Sequence, residues 1–129
     1  MSAISNRFLS AVRLCIGPLT IKKRLTIAWT EHLDDIDPDE LPEQVRNRFI
    51  GLRKAMYERV PLPSETAPVA SIRKMSTRDA VSHTDTIVDL YTEIVESQNT
   101  QHQTGDSAQE QPENIASFAV FQDRQRRLN

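Results

Sequence analysis

The chain has 129 residues, 38% of them apolar and 26% charged, with 16 Lys and Arg against 18 Asp and Glu for a formal charge of −2. That length suits one globular domain, and the near balance of charge excludes the strongly basic composition of a bulk nucleic-acid binder. A single cysteine, Cys15, excludes an intramolecular disulfide and a thiolate zinc cluster, and three glycines leave no Gly-rich phosphate loop.

From the start of the chain, Ile4, Phe8, Leu9, Val12, Cys15 and Ile16 form a loose helical stripe that Gly17 and Pro18 end. The apolar run from Phe8 to Ile21 is broken by Arg13, Gly17 and Pro18, too short for the ~20 apolar residues of a bilayer span. It also lacks the layout of a secretory signal, so no membrane span and a reducing, cytoplasmic setting are expected. Residues 1–30 hold five basic side chains and no acid, a composition shared with organelle transit peptides. They are read here as bundle helix.

A second helix is expected with Pro18 in its first turn, where a missing N–H costs nothing. Ile21, Leu25, Ala28, Trp29, His32, Leu33 and Ile36 recur at three- and four-residue steps along it, and Asp37-Pro38 stops it. Pro42 opens a third, with Val45, Phe49, Leu52, Met56 and Val60 on one face and Ile50 and Ala55 widening it. Pro61, Pro63 and Pro68 then predict a linker without regular helix to about Met75, in which residues 69–72 could be extended.

Ser76-Thr77-Arg78-Asp79 has the spacing of a capping box and starts a fourth helix, whose stripe is Ala80, Thr84, Ile87, Val88, Tyr91, Ile94 and Val95. Residues 97–114 are almost wholly polar and are predicted to be a disordered linker. Ile115, Phe118, Ala119 and Phe121 precede a basic end, so residues 115–129 read as a short amphipathic tail that docks back or serves as a tethered motif. The expected architecture is a small, all-α three- to four-helix bundle over residues 1–96 with a flexible C-terminal region.

Catalytic and metal chemistry find no support. Asp35, Asp37 and Asp39 mimic the first ligands of a calcium loop, but its sixth and twelfth positions are Glu40 and Arg46 instead of Gly and Glu. His32, His83 and His102 are scattered, and no nucleophile motif is present. No enzymatic activity, cofactor or metal is expected.

Charge is the informative feature. Residues 31–45 carry −7 and residues 80–114 carry −7 with no Lys or Arg, while residues 1–30 carry +5 and residues 46–60 carry +4. The second helix has its bases first and its acids last, against its own dipole. If the second and third helices pack antiparallel and the fourth returns along them, Lys22, Lys23, Arg24, Arg53, Lys54, Arg59, Arg73, Lys74 and Arg78 gather into one basic pole.

The predicted function is a non-enzymatic adaptor or regulator that binds a protein partner through this pole. Opposite poles also permit head-to-tail self-association. The alternative, a nucleic-acid-binding accessory protein using the same pole, fits less well, because the aromatic residues sit on core stripes rather than between basic ones.

Overall fold

The computed structural model describes residues 2–103, and within them the chain is all-α, with five α-helices and no strand. Helix α1 spans Ala3–Cys15, and α2 spans Ile21–Ala28 before widening into a π turn at Trp29–Leu33. A 3-10 turn at Pro38–Glu40 leads to α3 (Glu43–Met56), followed by α4 (Ala67–Lys74) and α5 (Thr77–Gln103).

Four of the five starts follow one rule. Side-chain oxygens of Ser2, Thr20, Thr66 and Ser76 accept the backbone N–H three residues on, at 3.1, 3.4, 3.5 and 3.0 Å. Each satisfies a donor that the first helical turn leaves without an intrahelical partner. Pro18 therefore precedes the N-cap Thr20 and is not part of α2.

The largest departure from expectation is α4, which occupies the segment read as a proline linker. Residues 69–72 are helical, not extended. Pro68 is the second residue of α4, where its N–H would have been unpaired, so it does not interrupt the helix. Glu65 anchors the preceding loop by accepting from Leu62 N at 3.2 Å and from both Nε and Nη2 of Arg73. The backbone N–H of Arg59 donates to the buried Ser71 hydroxyl at 3.0 Å, which ties the end of α3 to α4.

The core centres on three fully buried aromatic rings. The Phe49 ring stacks on Trp29, centroids 5.7 Å apart at 27°, and meets Phe8 edge-on at 6.0 Å and 64°. One ring thereby joins α1, the π turn and α3. Ile4, Ala11 and Cys15 of α1 extend this core, as do Leu25, Ala28, Leu33, Val45, Leu52 and Met56.

Helix α5 covers it with Ala80, Ile87, Leu90 and Ile94. Its buried face is turned from the predicted stripe: Leu90 is fully buried, whereas Val88 is 37% exposed. Arg48 of α3 pairs with Glu93 late in α5, and Glu58, just past the end of α3, is close enough to His83 early in α5 to act on its charge, so α3 and α5 run antiparallel.

The chain divides into two compact units, one to Val95 and one from Glu96. Of the second the structure describes only the end of α5. That helix continues through Gln103, seven residues into the predicted polar linker, because extending a formed helix adds a hydrogen bond for each residue fixed. The remainder of the linker and the tail at 115–129 lie outside the described residues.

Phe49→Ala is expected to destabilise the fold by ~3–5 kcal/mol in urea unfolding. Phe49→Leu, which keeps most of the volume, should cost clearly less.

Candidate functional site

The nine residues predicted to form a basic pole do not gather at one place. The premise that fails is the antiparallel pairing of the second and third helices. Instead α2 packs on α1 and α4, while α3 packs on α4 and on the 38–40 turn. Arg53, near the end of α3, lies at the end of the second helix and not at its start. Its guanidinium donates to the carbonyl oxygens of Asp34, at 2.9 Å, and of Ile36, and sits 4.9 Å from the Phe49 ring centroid. Tyr57 donates its hydroxyl to Asp34 Oδ1 at 2.6 Å, and Trp29 Nε1 donates to the same oxygen at 2.9 Å. The phenol is held above its ordinary pKa first by that bond to the carboxylate.

Other acids of the predicted acidic end are also engaged. Asp35 pairs with Arg7 of α1, whose guanidinium keeps the carboxyl below its usual range. Asp37 accepts from Asp39 N at 2.9 Å and so caps the 3-10 turn. The segment tested as a calcium loop is thus a capped turn, and among the described residues no group of three His, Cys, Asp or Glu is placed to hold a metal ion.

At the start of α2 the structure does collect part of the predicted set. Lys22 donates from Nζ to the carbonyl of Arg73 at 3.2 Å, which brings α2 against the last turn of α4. Between these helices lies an open groove of about 520 Å³ with Ile27, Val69 and Ile72 in its wall and Lys22, Lys23 and Arg73 at its edge. Glu65 neutralises Arg73 and holds its own carboxyl below the usual range through that guanidinium, so the net positive charge comes from Lys22 and Lys23.

The remaining members of the set are elsewhere. Arg24 is half-buried and donates to the carbonyl of Cys15, the last residue of α1. Lys54 lines a separate hollow on α3 with Gly51, Ala55, Tyr57 and Glu58. Arg59, Lys74 and Arg78 are exposed and contribute no side chain to the groove. What sequence reasoning missed is the apolar half of the site. Ile27 lies off the stripe of the second helix, and Val69 and Ile72 belong to the helix read as linker. The available signal was Thr66-Ala67-Pro68, a capping residue followed by a first-turn proline.

Cys15 is 5% exposed, and burial pushes its thiol up to about 11 against the partial opposition of Arg24. At neutral pH it is therefore a protonated core side chain and not a nucleophile.

With this geometry in place, comparison with family models, curated proteins and solved structures finds no match for the chain. Among the described residues no helix is long and apolar enough to cross a membrane.

A thiol whose pKa is raised by folding adds stability that is fully present below its ordinary pKa of 9.0 and is lost as pH rises through about 11. In urea titrations the wild type should lose on the order of 2–3 kcal/mol more across that window than Cys15→Ala. Equal alkaline slopes would show that burial does not hold the proton on Cys15.

Proposed function

We propose that the protein is a non-enzymatic interaction module whose α2–α4 groove takes up an acidic, amphipathic segment of a protein partner. The single observation that carries this reading is the pairing of an apolar wall with a cationic edge: Ile27, Val69 and Ile72 beside Lys22 and Lys23. An apolar wall rewards side chains that leave water, and the lysines favour carboxylates over other polar neighbours. Lys23 has no intramolecular ion pair among the described residues, so its charge remains available.

A nucleic acid matches this site less well. Phosphates would meet only two lysines whose charge is not already compensated, beside an aliphatic wall that offers no aromatic surface for stacking. We place the protein in the cytoplasm, a reducing compartment that suits a chain with one free, buried thiol.

The test is fluorescence anisotropy with two labelled peptides of roughly 14 residues, about four helical turns, each with leucines on one face and either glutamates or lysines on the other. The glutamate peptide should bind and the lysine peptide should not. Lys23→Glu, with unchanged circular dichroism, should weaken binding by roughly tenfold. A short DNA duplex titrated in parallel serves as the competing ligand. Binding of the duplex with no binding of either peptide would replace this reading with the nucleic-acid one.

A further inference from the structure

We infer that the segment received by the groove is the outward face of α5 on a second copy of this chain, a conclusion that rests on the docking role just proposed. Val81, Asp85, Val88 and Thr92 recur at four- and three-residue steps, so they share one face of α5. All four are exposed, although Ala80, Ile87, Leu90 and Ile94 on the other side of the same helix are buried. The two valines are 42% and 37% exposed and about 10 Å apart along the helix. Asp85 and Asp89 stand beside them, and neither has an ion pair among the described residues. No Lys or Arg occurs from residue 80 to residue 114 to offset them. This face therefore carries apolar side chains with carboxylates alongside, the inverse of the groove's apolar wall with lysines alongside.

Other segments of the chain fit less well. The acids that close the second helix are already held by Trp29, Tyr57 and Arg7. Residues 115–129 carry a net charge of +2, the wrong sign for a lysine-edged groove. Because Val81 and Val88 remain exposed, the groove of the same molecule does not cover them, and the contact must join two copies. It pairs two different surfaces, so it is heterologous: each molecule both offers a helix and receives one.

Sedimentation velocity of the full chain over a concentration series tests this. The weight-average mass should rise above the 14.7 kDa of one chain as concentration increases, and higher salt should lower it. Lys23→Glu disables the groove and leaves α5 intact. Val81→Asp/Val88→Asp does the reverse, removing the apolar contact of α5 and adding no positive charge that the Lys23→Glu groove could pair with. Each variant alone should stay monomeric, and a mixture of the two should form a dimer that grows no further, since only one productive contact remains.

A wild type that stays monomeric at every concentration overturns the inference. So do variants that assemble as the wild type does, because the contact then lies elsewhere. Neither result bears on the peptide measurement above, where binding of the glutamate peptide to monomeric protein upholds the docking role by itself.

Discussion

Cationic side chains donating to the carbonyl oxygens at the ends of neighbouring helices hold this bundle in its arrangement, and Arg53 is the central case. It reaches from α3 to Asp34 O and Ile36 O, the groups that the end of the second helix leaves without intrahelical partners. Its position near the Phe49 ring places that polar contact against the aromatic cluster joining α1, the π turn and α3. The same device recurs twice. Arg24 donates to Cys15 O, where α1 ends, and Lys22 donates to Arg73 O, in the last turn of α4. A helix C-terminus carries roughly half a negative charge, so each such cation is favourable where it lies.

This explains a charge distribution that looks wrong when helices are taken one at a time. Bases at the start of α2 oppose the dipole of α2, yet they serve the ends of α1 and α4. Acids at the end of the second helix oppose that dipole too, and Arg7 and Tyr57 from other elements meet Asp35 and Asp34. Members of these blocks are engaged inside the fold, among them Asp34, Asp35, Asp37, Arg24 and Arg53, whereas Lys54, Arg59, Lys74 and Arg78 are exposed. Lys23 at the groove, and Asp85 and Asp89 on α5, are among the charges without an ion pair within the described residues, and they flank the apolar side chains on which function is proposed.

Local signals read well wherever the determining contacts are local. The capping serine at Ser76, the stop at Gly17 and Pro18, and the α3 stripe of Val45, Phe49, Leu52 and Met56 all appear as their spacing implies. The errors have specific causes. Pro68 was taken as a helix breaker when its position two residues after a capping threonine makes it compatible with a first turn. Leu90 and Val88 exchanged places because both lie near the edge of the α5 stripe, and only the position of the covering helices selects which one leaves solvent. The groove was half legible: its lysines belonged to a visible charge block, but its apolar wall required α4.

The amino-acid sequence by itself determined that residues 2–103 are all-α, where α3 and α5 begin, and that Phe8, Trp29 and Phe49 lie on core-facing stripes. Caps, prolines and apolar spacing act within a few residues, and those effects need no knowledge of the rest of the molecule. Only the tertiary structure decided which helix lies beside which, and hence that Arg53 meets the end of the second helix while Lys22 and Arg73 share a groove. A side chain-to-carbonyl contact between residues 51 positions apart leaves no periodic mark in the sequence, because any exposed carbonyl at a helix end can accept it. Shape and burial choose among those ends.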